Sequence, residues 1–290
     1  MALDIERLLH WREPPLRQAY DAAHTMRYAL GIGLGYDPAD AMALRHVFER
    51  TLVALPTLAT VLAARFGWLY RTDAGVTPSQ CVHVGQTLRM HGPLPPEGEV
   101  IGTLEVTGIE EKGKDRGALV FFRRELRDAS SGQLLCTLDA DMFCRADGAQ
   151  RASYGHIPAS HAPLPAREAD LQIDTPTLPQ QALLFRLSGD FNAIHADPGA
   201  ARAAGFERPL LHGLSSYGAV AYALLRPFAE GDADRLVRIE ARFARPVFPG
   251  ELLRTEAWAD EPGRVRFRTT VPQRSVTVLD QGLAEFLPRA

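Results

Sequence analysis

Lysine is nearly missing: of 32 basic side chains only Lys112 and Lys114 are lysine, both in EEKGKDRG, and the rest are arginine. Cysteine is scarce as well. Cys81, Cys136 and Cys144 are an odd number, without a CxxC pair or ligand-like histidine spacing, so neither a disulfide framework nor a structural zinc site is indicated. No apolar run approaches the length of a membrane span. The start, MALDIERLLHWREPP, carries charge inside its apolar part and no small-residue cleavage site, unlike a signal or transit peptide. Charge of one sign is never massed: 32 basic against 35 acidic side chains leave −3, spread along the chain. That pattern points to no nucleic acid, no acidic arm and no membrane surface. The expected setting is a reducing cytoplasm, and any anionic ligand must be met by a local cluster.

What is present is ample apolar material, 46% of 290 residues, enough for one large domain or two ordinary ones. Strand-like stretches fall in two sets. The first is VHVGQTLRM (82–90), EVIGTLEVTGI (99–109), ALVFFRRELRD (118–128) and QLLCTLDADMFCR (133–145), the last two joined by the hairpin link ASSG. The second is LVRIEARF (236–243), ELLRTEAWAD (251–260), RVRFRTTV (264–271) and SVTVLDQGLAEFL (275–287), separated by Pro-Gly turns. Each half thus predicts its own antiparallel sheet. Residues 214–228, LSSYGAVAYALLRPF, are apolar on nearly every side and predict a buried helix. In the first half, 39–66 is rich in alanine and leucine, but Pro56 argues against one long helix there. PLPPEGE (93–99) and PVFPGE (246–251) both lead into a strand, a short echo consistent with duplication. The expected architecture is α+β: residues 1–150, a link at 151–165, and 166–290, each half a sheet curled around a helix.

Chemistry concentrates in LSGDFNAIHAD (187–197), where Asp190, Asn192 and His195 fall within six positions. On one continuous helix Asp190 and His195 would lie on different faces, but Gly189 and Asn192 permit a turn that brings them together. A carboxylate and an imidazole so placed can share one water, which suits adding water to a polarised double bond or removing it. The same residues also read as plain turn chemistry, since Asp197-Pro198 is an N-cap followed by a first-turn proline. Downstream, LLHGL puts Gly213 where the apolar helix begins. Helix-start N–H groups lack partners inside the helix, and an amide without a side chain can approach a ligand oxygen closely. Such a donor stabilises an enolate-like thioester oxygen by about 3–4 kcal/mol. His212 beside it reads as packing or hydrogen-bonding support, and His156 and His161 as solvated link residues.

The run FRLSGDFNAIHADPGAARAAGFERPLLHGLSSYG (185–218) resembles the signature of the MaoC-like dehydratases, specifically the R-specific enoyl-CoA hydratase 2 group. Similarity extends to MRYALGIGLG (26–35), HVGQTLRMHGPLPPEG (83–98), GIEEKGKDRG (108–117) and RFARPVFPGELL (242–253). The resemblance implies a double hot-dog fold and reversible hydration of an enoyl-CoA, without a metal or other cofactor, by a homodimer. It makes Asp190 and His195 the water-activating dyad, gives Asn192 a part in shaping the site, and has Gly213 donate its N–H to the thioester carbonyl. It also assigns acyl-CoA contacts to His83, Val84, Lys112 and Phe243. For Lys112 the residues agree, because a loop holding the chain's only lysines suits a phosphate as well as solvent; Phe243 alone reads as a strand core residue.

Three positions depart from the family pattern: Phe185 for a tyrosine, Ala193 for a proline, and Val84 for a glycine. None removes a reacting group. The first half has no D-x-N-x-x-H, its Asp37 and His46 being too far apart, so one half is expected to do the chemistry while the other shapes the acyl pocket. Three alternatives stand beside this reading. A hydro-lyase on a branched, dicarboxylic, steroid side-chain or carrier-protein-bound thioester would use the same residues; the D-x-N-x-x-H and His-Gly pattern argues against a thioesterase; and in a non-catalytic acyl-CoA-binding subunit the motif would be only a fold element.

Overall fold

The computed structural model describes residues 2–159 and 163–288, so His161 lies outside the described residues. The first half opens with a short helix α1 (Ile5–Leu9), a strand β1 (Arg12–Tyr20), helix α2 (Ala22–Gly31) and a single turn α3 (Ala41–Leu44). Four long strands follow: β2 (Cys81–Met90), β3 (Gly98–Lys112), β4 (Ala118–Asp128) and β5 (Leu134–Cys144). Next come β6 (Arg151–Gly155) and β7 (Leu171–Pro176), two short helices α4 (Gln181–Phe185) and α5 (Pro198–Ala203), and the long helix α6 (Gly213–Ala229). The chain ends in β8 (Leu236–Phe243), β9 (Leu252–Glu261), β10 (Arg264–Val271) and β11 (Val276–Phe286). No helix among the described residues is long and apolar enough to cross a membrane.

The fold is the expected α+β double hot-dog, with three differences from the simple expectation. The two sheets do not end separately. They join edge to edge where β2 pairs with β8, from Gly85 opposite Arg242 to Arg89 opposite Arg238, giving one antiparallel sheet in the order β1-β3-β4-β5-β2-β8-β11-β10-β9-β7. Two open strand edges would each expose a row of unpaired backbone groups, and pairing them removes both. The second difference is β6, which begins within the expected link and pairs with β3.

Period-two alternation explains the faces. Along β10, Val265, Phe267, Thr269 and Val271 are buried while Arg264, Arg266 and Arg268 point the other way. The inner face wraps α6, in which every residue from Ser215 to Leu225 is buried. One core cluster then draws on both halves, including Tyr28, Leu58 and Leu62 from the first and Tyr217, Val220 and Phe267 from the second.

Third, a central helix is expected in each half, but among the described residues the first half has no counterpart of α6. Over 39–66 the chain forms the single turn α3 and then 3-10 turns, among them Pro56–Thr60 with Pro56 at its first position. Short turns leave carbonyls without helical donors. Arg124 on β4, only 3% exposed, supplies them: its guanidinium donates to the carbonyls of Ala59 (2.9 Å), Thr60 (2.8 Å) and Leu62. Burial draws its pKa down to about 10, which still leaves it charged at neutral pH.

Arg124→Met should therefore strand three buried carbonyls and lower stability by about 3–5 kcal/mol. Arg123→Met, which breaks the half-exposed pair with Asp139, should cost under about 1 kcal/mol. Urea denaturation of both variants compares them; equal midpoints would remove Arg124 from this role.

Candidate active site

After α4 a 3-10 turn, Arg186–Ser188, ends at Gly189, whose φ of 121° suits a residue without a side chain and reverses the chain. Asp190 then accepts a hydrogen bond from the Asn192 amide at 3.2 Å. The Asn192 side chain in turn caps the 3-10 helix Ala193–His195 through the Ile194 amide at 3.3 Å. Asp197 caps α5 through the Gly199 amide at 2.6 Å, with Pro198 at the first helical position. Two tight turns separated by one cap bring the Asp190 carboxylate and the His195 ring to the same spot. One carboxylate oxygen of Asp190 and one ring nitrogen each of His195 and His212 lie within 4.8 Å of one another.

Backbone carbonyls set the imidazoles. Nδ1 of His195 lies 3.0 Å from the Leu210 carbonyl oxygen, which can only accept, so Nδ1 carries the proton and Nε2 is left as the acceptor. Burial holds the His195 pKa below its ordinary value, against the pull of the Asp190 charge and the Leu210 bond. His212, 1% exposed, stacks on His195 with ring centres 3.7 Å apart and planes 22° apart. Its Nε2 donates to the Asp190 carbonyl at 3.2 Å, while its Nδ1 is buried without a partner among the described residues. Burial first, then the neighbouring His195, lowers the His212 pKa to about 4. Sequence reasoning gave His212 a supporting part and did not select Leu210, whose contribution is a carbonyl and leaves no residue-type signal.

The start of α6 faces this group. No side chain caps it, and the His212 carbonyl receives the amides of Ser215 (3.0 Å) and Ser216 (3.2 Å). A Cβ built on Gly213 would stand 3.2 Å from the Phe243 ring, so glycine is what lets β8 and the helix start meet. The His83 ring packs edge-on to Phe243 at 4.9 Å, and Nε2 of His83 donates to the Gly85 carbonyl at 2.8 Å. Burial brings the His83 pKa down to about 4, with the Asp190 charge acting in the opposite direction. Asp190, His195, Gly213, His83 and Phe243 thus gather at one place.

Val84 and Lys112 lie elsewhere. Neighbours on a strand face opposite ways, so Val84 points into a groove of about 760 Å³ on the far face of the sheet, lined also by Lys112, Arg89, Arg123, Arg238 and Arg242. Lys112 pairs there with Glu110 at 2.6 Å. His156 borders the groove and is exposed. Of the departures, Phe185 is fully buried between Tyr28 and His212, and Ala193 is exposed at the start of its 3-10 turn.

Two known families match the chain: MFE-2 hydratase 2 N-terminal domain over residues 18–146, and MaoC like domain over residues 160–281. The chain is 37% identical to 3-hydroxyacyl-thioester dehydratase Y of Mycobacterium tuberculosis, over 99% of each chain. It is 35% identical to the peroxisomal enoyl-CoA hydratase 2 of Arabidopsis thaliana, over 94% of this chain and 92% of that protein. The crystal structure of a MaoC-like dehydratase from Phytophthora capsici superposes with a TM-score of 0.86 at 29% identity, covering 98% of this chain and 99% of that one.

The depressed histidines make stability depend on pH. Above about pH 6.5, His83 and His212 are neutral both folded and unfolded. Between there and about pH 4, where both titrate in the folded protein, the unfolded chain binds protons that the folded one refuses. Each should then cost about 1.4 kcal/mol per pH unit on acidification. Denaturation free energies from pH 7 to pH 5 should show that slope, reduced in His212→Gln; a flat profile in the wild type would contradict the burial of these rings.

Proposed function

The chain belongs to the MaoC-like dehydratases, as a hydro-lyase of the hydratase 2 type, and on that premise we propose that it catalyses reversible syn hydration of a trans-2-enoyl-CoA to an (R)-3-hydroxyacyl-CoA. The observation that carries this reading is the His195 ring beside the Asp190 carboxylate, its Nδ1 engaged by the Leu210 carbonyl so that Nε2 is the acceptor, next to a helix start that no side chain caps. A water held by both groups gives one proton to His195 as its oxygen attacks the β-carbon, and the Asp190 charge steadies the imidazolium that forms. The electron pair of the double bond moves through the α-carbon to the thioester oxygen, where the Gly213 N–H receives it. Because the His195 pKa is depressed, the imidazolium readily returns its proton, to the α-carbon and from the same side. Overall one H and one OH add to one face.

We assign the acyl-CoA contacts to His83 and Phe243 at the thioester, and the CoA phosphates to the groove of Val84 and Lys112, whose basic side chains outnumber its carboxylates Glu110, Asp139, Asp141 and Glu240. The reading further places the enzyme in the cytoplasm as a homodimer; Leu183, Leu187 and Phe191 are exposed near the site and suit a subunit contact, for which light scattering of the free enzyme is the check. A more specialised acyl thioester would engage the same residues, and a panel of enoyl-CoAs of varied chain separates the cases.

Asp190→Asn and His195→Gln should each lower kcat for crotonyl-CoA and longer enoyl-CoAs by roughly 10²–10⁴-fold, with the melting temperature nearly unchanged. Gly213→Ala, whose methyl meets Phe243, should lose about 10²-fold or more. Wild-type hydration rates in both dyad variants, an S product, or release of free CoA from a saturated thioester would each overturn the proposal.

A further inference from the structure

Cys81 opens β2 and Cys144 closes β5, and the strand register sets the two directly opposite one another. Residues so paired share a face with Cβ atoms about 4.5–5.5 Å apart, close to the span of a disulfide. Their sulfurs lie 3.1 Å apart, nearer than the van der Waals contact of two sulfur atoms, and both are free thiols. Cys81 is half-buried and reachable, whereas Cys144 is buried. Asp147, 1% exposed, places a carboxylate oxygen within 4.8 Å of both sulfurs. Contact with Cys81, burial and the Asp147 charge together push the Cys144 thiol well above its ordinary pKa, so it rests protonated.

We propose that Cys81 and Cys144 form a redox-modification site that takes a hydroperoxide. The Cys81 sulfur attacks the peroxide, the O–O bond breaks, and Cys81 becomes a sulfenic acid while the peroxide leaves as water or an alcohol. The Cys144 sulfur then displaces the hydroxyl, which departs as water with the Cys144 proton, passed on by Asp147. A cross-strand disulfide results: the two sulfurs have given up two electrons, the peroxide has gained them, and a dithiol reductant reverses the bond. Reversibility suits a reducing compartment, where disulfides are transient and redox-sensing. A metal fits the cluster less well. Thiolates on a tetrahedral ion with bonds of about 2.3 Å sit about 3.8 Å apart, and both Asp147 oxygens already accept from Thr77, at 2.8 and 2.6 Å. Cys81 and His83 are two apart on β2, before its bulge, so the bond would tie down the strand end that carries His83.

The test treats the full chain with hydrogen peroxide, blocks remaining thiols in denaturant, and maps peptides by mass spectrometry. Free thiols should fall from three to one, with the peptides of Cys81 and Cys144 joined, two hydrogens lost, and the melting temperature raised by roughly 5 °C; dithiothreitol should reverse all of it. Cys136→Ser should keep the coupling and Cys81→Ser should abolish it. The wild-type peptide map decides even if a variant fails to fold. Three thiols surviving excess peroxide, a sulfinic acid accumulating on Cys81, a link between two chains, or a stoichiometric zinc ion released by Cys81→Ser would overturn the proposal.

Discussion

A buried chain of hydrogen bonds holds the two halves to one another at the site. The Gln181 amide donates to the Ser215 hydroxyl at 3.0 Å, and that hydroxyl donates to the Gly31 carbonyl at 2.9 Å; Gln181 and Ser215 are both fully buried. The Gln181 oxygen is satisfied too, by the Leu178 amide at 2.9 Å. The three residues belong to α4, α6 and α2, so the chain joins the element preceding Asp190 to the helix beginning at Gly213 and to the opposite half. In a water-free interior each member needs the others, because losing one leaves its partners' polar atoms unpaired. Gly31 serves the same junction sterically: a Cβ there would meet the Phe185 Cα at 2.9 Å, so only glycine lets α2 lie this close to α4.

From that junction outward the halves differ because they solve one backbone problem in two ways. The second half encloses a 17-residue helix that satisfies most of its own carbonyls, Pro227 in its last turn excepted, and whose N-terminus carries no side-chain cap. The first half has 3-10 turns instead, and their carbonyls require a cation from the sheet. Arg124 is accordingly buried beneath Ala59, Thr60 and Leu62 rather than paired with a carboxylate among the described residues. A helix there would bring its own donors and fill the interior; a guanidinium holding short turns leaves the chain free to follow the inner surface of the sheet. The asymmetry of the proposed chemistry, one half with an uncapped long-helix start and one without, matches this asymmetry of backbone satisfaction.

Elements whose pattern is set by burial were legible in the sequence. β4, β8 and β10 run over the residues read for them, because alternation and flanking turns both mark them. The buried helix differs by one residue at each end. β1 was missed because Pro14 and Pro15 contradict a strand pattern; a register shift between Glu13 and Leu16 accommodates them on the sheet's outermost strand. β6 and β7 are short and polar on one side, so their pairing comes from β3 and β9 rather than from local preference. Joining of the sheets was invisible too, since nothing in β2 or β8 alone says that either edge finds a partner. In the site, residue types were readable but placement was not. His83 and Val84 are adjacent in sequence, yet the sheet separates them onto opposite faces.

The imidazoles illustrate why placement decides the chemistry. His195, His212 and His83 each spend one ring N–H on a backbone carbonyl, of Leu210, Asp190 and Gly85 respectively. The carbonyl fixes the tautomer, and burial keeps the ring neutral. With the His195 and His212 rings 3.7 Å apart, two positive charges there would repel strongly, so the stacked pair can hold one extra proton at most. His212 is the worse holder: it is more deeply buried than His195, and its free nitrogen has no partner among the described residues. The proton of the proposed reaction therefore belongs to His195, whose ring lies beside the Asp190 carboxylate. His212 stays a neutral spacer that grips the Asp190 backbone from one side and leads directly into Gly213 on the other. A histidine before the helix glycine thus ties the Asp190 carboxylate, the His195 imidazole and the proposed oxyanion donor together, and under the proposed reaction it exchanges no proton itself.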